Sequence, residues 1–272
     1  GMLTGLLFAF GTTSWSYAIT IYQHIPTTFF VLLGFYAAWR YKQRQQFHPL
    51  WGMVVWACYG IGVFIDFPSV FLMAPVMLYF LVNSIGIEQR KEGNRISFNL
   101  AFIISSFIFF SLMGGHGYYN KVAFGDWKKF GQSFTRYEGE EKFQARLDRQ
   151  QAEASAAAAL ASSSGTLVQK PTAASNPFSV FKESKIVNGV TTLTIADDKG
   201  IFYYSPVLLI GLFGILFFRK KLQQEHYFLI SIIIVNLVLY ASFADPWGGW
   251  AYGPRYLIPS MSILSLFTVL TL

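Results

Sequence analysis

Cysteine is all but missing from this 272-residue chain, and the lone Cys58 excludes an intrachain disulfide. Charge is scarce too, at 13% of residues, where an ordinary soluble domain carries about 25%. No phosphate-cradling P-loop, dinucleotide fingerprint or nucleophile elbow occurs, which removes the common nucleotide-binding and hydrolase signatures. No N-glycosylation sequon is present, and no basic n-region with a cleavage site marks a signal peptide. The four histidines (His24, His48, His116, His226) share no metal-ligand spacing. What fills the space is apolar: 53% of residues are hydrophobic and 18% aromatic.

Spanning a hydrocarbon core takes about 20 residues, and the apolar runs are cut to that size. They predict spans over Ala18–Arg40, Pro49–Ile65, Ser69–Ile87, Ile96–Met113, Ile201–Phe218, His226–Phe243 and Tyr256–Leu272. Met2–Thr13 is too short and reads as the tail of a further span, so the chain reads as a fragment. Trp39, Trp51, Trp247 and Trp250 sit near span ends, as interfacial aromatics do. The predicted fold is an all-α integral membrane protein, a polytopic helical bundle of seven spans plus a partial N-terminal one. Residues 1–113 and 201–272 form the spans, and 114–200 form one large extracytoplasmic loop. Within that loop, Arg136–Arg149 reads as a surface helix and Ala152–Gly165 as an Ala/Ser-rich linker. Val187–Ile195, with its Asn-Gly pair beside a β-rich run, reads as a short hairpin.

The short loops are charged on one side. Arg40, Lys42, Arg44, Arg90, Lys91, Arg95, Arg219, Lys220 and Lys221 fall on alternate connections. The opposite connections hold only Asp66, Asp245 and Arg255. Nine basic residues against one places the first set in the cytoplasm by the positive-inside rule. The net charge of +7 is therefore topological, and a nucleic-acid partner is not indicated.

Candidate chemistry gathers on the outer side. Trp247, Trp250 and Tyr252 lie in a Gly-rich turn that ends at Arg255. Such aromatics stack on sugar rings or anchor at headgroup level, and an arginine there grips a substrate phosphate or an ordinary headgroup. Tyr17 and His24 are seven residues apart and share a face if helical. His24 is a donor to a phosphate or leaving group, or else an interfacial residue satisfied by a neighbour. Asp66 and Asp245 are the only carboxylates of the short outer turns, fit to act as a base or hold a hard cation. Asp66 before Phe67-Pro68 also suits a helix cap, and Asp245-Pro246 is ordinary turn chemistry. His116, Tyr119 and Asn120, with Tyr118 and Asp126, are candidates to line an acceptor loop. No Asp, Glu, Lys or Arg lies mid-span, which argues against an ion-coupled carrier.

Four ordered stretches carry a resemblance. They are Gly11-Thr12-Thr13-Ser14-Trp15-Ser16-Tyr17 with His24 downstream, and Tyr119-Asn120 followed by Phe124-Gly125-Asp126. Lys199-Gly200-Ile201-Phe202-Tyr203-Tyr204-Ser205-Pro206 comes third, and Trp247-Gly248-Gly249-Trp250-Ala251-Tyr252-Gly253-Pro254-Arg255-Tyr256 fourth. Together they resemble the C-terminal portion of the polytopic glycosyltransferases of the GT-C superfamily. The group is related to protein mannosyltransferases and the lipid A aminoarabinose transferase. The resemblance implies transfer of a sugar from a polyprenyl-phosphate donor to an acceptor on the outer face, in a bacterial cytoplasmic membrane. It implies donor-phosphate binding by Arg255, His24 and Tyr17, and a substrate loop of His116, Tyr119, Asn120, Trp247, Trp250 and Tyr252. The superfamily's catalytic acid lies in an earlier outer loop with no counterpart in this sequence. The base is thus unassigned, Asp66 and Asp245 are the fallbacks, and the fragment is expected to be inactive alone. A divalent metal is compatible with the superfamily, but no ligand cluster supports one and no cofactor is identified. The competing readings are a transporter or flippase of lipid-linked solutes, and a non-catalytic membrane assembly protein.

Overall fold

The computed structural model describes residues 1–20, 22–43, 49–90, 93–127, 186–217, 220, 222–243, 246–248 and 251–272. The chain divides into two compact units, one of Gly1–His116 with Phe181–Leu272 and one of Gly117–Val180. The expected surface helix at 136–149 and the linker at 152–165 lie outside the described residues.

The first unit is a packing of helices. They run α1 (Met2–Phe10), α2 (Ser14–Ala18), α3 (His24–Gln43), α4 (Pro49–Ile65), α5 (Ser69–Leu72) and α6 (Ala74–Val82). After a hairpin come α7 (Leu100–Ser105), α8 (Phe107–Phe124), α9 (Ile186–Thr194), α10 (Ile201–Tyr204) and α11 (Leu208–Phe217). Then follow α12 (Gln224–Ala241), a 3-10 turn at Arg255–Leu257 and α13 (Ile258–Thr271). The hairpin pairs β1 (Ile85–Arg90) antiparallel with β2 (Gly93–Phe98), Ile85 opposite Phe98 and Arg90 opposite Gly93.

Among the described residues, two helices are long and apolar enough to cross a membrane: Leu100–Ala123, taking α7 and α8 together, and Gln224–Ala241. Pro49–Ile65, Ser69–Val82, Leu208–Phe217 and Arg255–Thr271 are apolar but shorter, and α3, with 20 residues, is long enough but less apolar. The expected run Ala18–Arg40 loses its first turn, since the chain leaves the helix between Ala18 and His24. Ile201–Phe218 breaks at Ser205-Pro206, where proline has no N–H to give and pushes its predecessor out of helical geometry. Ser69–Ile87 ends at Val82, and its last residues enter β1. Ile96–Met113 shifts the other way: β2 takes its start, while helix continues through Gly114 and Gly115 to Phe124. Pro49–Ile65 matches the expectation end to end.

The 187–195 hairpin is overturned: Ile186–Thr194 is the helix α9. A tight Asn-Gly hairpin turn needs left-handed backbone, and the positive-φ glycines among the described residues are Gly125, Gly248 and Gly253, not Gly189. Burial decides the matter. Gly189 and Leu193, four apart on one face, are buried, while Val187 and Ile195 are exposed. A Cβ on Gly189 would stand 2.6 Å from the Ala241 Cα, so the absent side chain is what lets α9 lie on the end of α12.

The core runs along α13, whose residues from Ile258 to Ser265 are all buried. That helix packs on α1, α3, α11 and α12. Small residues set the closest approach: a Cβ on Gly211 of α11 would lie 2.7 Å from Thr268 Oγ1 and would run into the Leu264 carbonyl. In place of charge, a neutral pair joins α12 to α13, with Asn236 Nδ2 donating to Ser260 Oγ at 2.8 Å. Tyr79 and Phe80 of α6 are fully buried, stacking on Phe35 and meeting Tyr41 edge-on. At the far ends of α3 and α12, Lys42 Nζ meets Glu225 Oε1 at 2.7 Å.

In the second unit, the described residues are Gly117–Trp127. Helix α8 ends there at Gly125, whose φ of +76° suits a left-handed C-terminal cap, with Gly125 N–H bonding to the Lys121 carbonyl at 2.9 Å. The Lys121 ammonium lies 5.3 Å from the centre of the Trp127 ring.

Candidate functional site

The turn before α13 is shaped by two left-handed glycines, Gly248 (φ +70°) and Gly253 (φ +67°). Their open space is used by the protein itself. A Cβ on Gly248 would meet Tyr256 Cε2 at 2.7 Å, and one on Gly253 would meet Thr13 Cγ2 and Tyr204 Cγ at 3.1 Å. Two distant side chains tie the backbone between them. Tyr17 Oη donates to the Tyr252 carbonyl at 2.7 Å, and Lys199 Nζ donates to the Ala251 carbonyl. The turn is thus fixed before Arg255 begins the 3-10 segment that feeds α13.

Arg255 is half-buried between aromatic rings, its Cζ 4.9 Å from the centre of Tyr22 and 5.2 Å from that of Tyr256. Among the described residues no carboxylate pairs with it, and its Nε is buried without a hydrogen-bond partner. Cation–π attraction to the two rings and a hydrogen bond to the Tyr256 side chain position the guanidinium.

Behind Arg255 lies a buried assembly. The Tyr256 ring stacks on Tyr240, centroids 4.5 Å apart and planes 5° from parallel. His24, only 3% exposed, sets its ring edge-on to Tyr256 at 5.3 Å and to Tyr240 at 6.3 Å. Tyr240 Oη donates to Asp66 Oδ2 at 3.0 Å. The carboxyl of Asp66 is pushed up from its ordinary pKa by burial, partly offset by that hydrogen bond. Asp66 is therefore not the helix cap its position suggested. The N-cap of α5 is Pro68, with no side-chain cap bond, while the Asp66 side chain turns inward to Tyr240.

The shared helical face of Tyr17 and His24 is also corrected, because Tyr17 is on α2 and His24 opens α3. The fold brings both near Arg255 by another route, Tyr17 through its ring contact with Tyr22 and His24 through Tyr256. Burial pushes the Tyr17 pKa up to about 12, against the opposing pull of Arg255. Tyr17 accordingly stays a neutral hydroxyl donor at physiological pH.

The remaining candidates scatter. His116 is on α8, not in a loop, and its ring stacks on Phe64 of α4 at 4.4 Å. Tyr119 and Asn120 follow on the same helix, in the second unit; Tyr119 is exposed and Asn120 buried. Asp245 and Trp250 lie outside the described residues. Trp247 and Tyr252 do belong to the fixed turn: Tyr252 meets Tyr204 edge-on at 5.1 Å, and Trp247 Nε1 donates to Asp198 Oδ2. Among the described residues no group of three His, Cys, Asp or Glu side chains forms a metal site.

Sequence reading missed Tyr22, Tyr240 and Tyr256, whose importance comes only from contact. It also missed a cavity of about 260 Å³ lined by Asn188, Thr192, Asp198, Pro246 and Trp247. Asp197 and Asp198 stand together just before the stretch that opens at Lys199, which was the available signal. In comparisons with known proteins, no family profile, curated protein or solved structure matches this chain.

Proposed function

We propose that the chain is the C-terminal portion of a polytopic membrane glycosyltransferase of the GT-C type, with its site on the outer face of a bacterial cytoplasmic membrane. In this reading the chain crosses the bilayer seven times. It takes a sugar from a polyprenyl-phosphate donor and passes it to an acceptor outside the cytoplasm. The single observation carrying the reading is Arg255, a guanidinium without a carboxylate partner among the described residues, clamped between Tyr22 and Tyr256. Three of the ordered motifs meet around it, through Tyr17, Tyr204 and the Gly248–Gly253 turn.

The chemistry follows from the parts. A sugar transfer from phosphate leaves a phosphate with growing negative charge, and a pre-oriented arginine stabilises it through parallel charge-assisted hydrogen bonds. Each such bond contributes about 1.5–3 kcal/mol. His24, buried behind Tyr256, positions that ring and does not reach the donor itself. Asp66, bonded to Tyr240 and 4% exposed, supports the assembly and is not the base.

Binding of undecaprenyl phosphate to the purified 272-residue chain in lipid nanodiscs tests this reading. Arg255→Lys keeps the charge but loses the fork and should weaken binding about tenfold, a loss of about 1.4 kcal/mol. Arg255→Ala should be weaker still at unchanged folding. Equal affinity in all three proteins would reduce Arg255 to a membrane anchor and remove the central support for the transferase reading.

A further inference from the structure

The cavity of about 260 Å³ between α9 and the Trp247 turn is separate from the residues around Arg255. Its walls come from three stretches: Asn188 and Thr192 on α9, Asp198 in the turn after it, and Pro246-Trp247. The chemistry of the walls narrows what can enter. The Lys199 ammonium already lies 4.6 Å from the centre of the Trp247 ring, so a second cation on that indole would meet like charge. The exposed Asp198 carboxylate repels phosphate and carboxylate ligands. A purely apolar ligand would strip water from Asn188, Thr192 and Asp198 and give nothing in return, which costs free energy for every unmet polar group.

What remains is a neutral molecule with hydroxyls along one edge and a C–H face on the other. Asn188 offers a donor and an acceptor, Thr192 a hydroxyl, and Asp198 its Oδ1, since Oδ2 accepts from Trp247 Nε1. Pro246 and the indole give the apolar wall. Adjacent hydroxyls of a pyranose ring match such a set, each able to donate to the carboxylate while accepting from the amide. Size agrees: drug-sized ligands occupy pockets of about 300 Å³ upward, so this cavity holds one ring.

We infer that this cavity is a carbohydrate subsite taking a single neutral sugar ring, distinct from the phosphate grip of Arg255. It rests on the transferase reading only for the bound ring being part of a substrate. The hydrogen bonds of Trp247 to Asp198 and of Lys199 to the Ala251 carbonyl connect the subsite to the turn that ends at Arg255. A sugar seated there would therefore press on the same turn that presents the guanidinium.

Saturation-transfer NMR on the full chain in nanodiscs tests the subsite, using methyl α-D-mannopyranoside, methyl β-D-glucopyranoside and methyl β-L-arabinopyranoside. Cyclohexanemethanol, with one hydroxyl and no adjacent pair, is the control ring. At least one glycoside should bind and the control should not. Asn188→Trp, at an exposed helix position that tolerates a large side chain, should fill the cavity and weaken binding roughly tenfold or more. Thr192→Ala should weaken it by a smaller factor. Absence of signal from all three glycosides, equal binding of the control ring, or full binding to Asn188→Trp would each overturn the subsite. Undecaprenyl phosphate affinity is measured separately, so loss of the Arg255 effect with glycoside binding intact would sink the donor reading and leave the subsite standing.

Discussion

At the scale of single residues, the placing of Trp247, Tyr252 and Arg255 in one turn was legible from their neighbouring positions, and the surroundings of Asp66 were not. The partner that defines Asp66 is Tyr240, 174 positions further on, and no local pattern announces a pairing at that distance. Its local context, an acid before Phe-Pro, pointed to a cap that the backbone does not use. The pairing carries a consequence for pH. The folded-state pKa of Asp66 is raised from 3.8, so the folded protein binds this proton more tightly than the unfolded chain. The stabilising contribution is complete below pH 3.8 and disappears as pH rises through the folded pKa. Asp66→Asn, which cannot ionise, should therefore show a flatter dependence of melting temperature on pH above 3.8 than the native chain. Identical slopes would mean that Asp66 is solvated and not buried against Tyr240. Asp66→Ala should cost about 1–3 kcal/mol, because it strands the buried Tyr240 hydroxyl. Tyr240→Phe added to it should recover part of the loss.

Elements were legible wherever a single period governed the run. Pro49–Ile65 was bounded correctly by its flanking polar residues, and Gln224–Ala241 lay within two residues of the expected span. The misses have one cause, packing that overrides local preference. VNGVTTLT has strand chemistry residue by residue, yet its Gly189–Leu193 face finds a backbone to lie on at Ala241, and it coils. The hairpin at Ile85–Phe98 hid because its strands took apolar residues from the ends of two expected spans. These close approaches make a sharp test. Gly189→Ala drives a methyl group into the Ala241 backbone, which side-chain rotation cannot relieve, so it should destabilise by about 1–3 kcal/mol. The same substitution should also lift α9 and weaken glycoside binding at Asn188 and Thr192. Gly114→Ala, also inside a helix and with nothing within 4 Å of its new methyl, is the matched control and should hold or raise the melting temperature. Should both variants melt alike, α9 does not pack on α12 as described.

At the scale of the molecule, the arrangement in the membrane is where sequence and structure divide the argument between them. Two described helices have the length and composition to cross a bilayer, while side comes from charge alone. One basic residue of the set read as cytoplasmic has a structural mark too: Lys42 near the end of α3 binds Glu225 near the start of α12, so those two helix ends lie together. The opposite ends of the same helices carry His24 and Tyr240, which meet around Tyr256. If Lys42 faces the cytoplasm, the Arg255 assembly faces out. A topology experiment therefore tests the whole functional reading at once. The native thiol, Cys58, is buried and gives little background to an impermeant maleimide. Ser163→Cys in intact cells should label fully, since the proposed topology puts Ser163, beyond the end of α8 in sequence, outside the cytoplasm. Lys220→Cys should label only after the membrane is opened. The reverse pattern would put Arg255 on the cytoplasmic side, where a donor consumed outside cannot reach it, and the transferase reading would fall with its orientation.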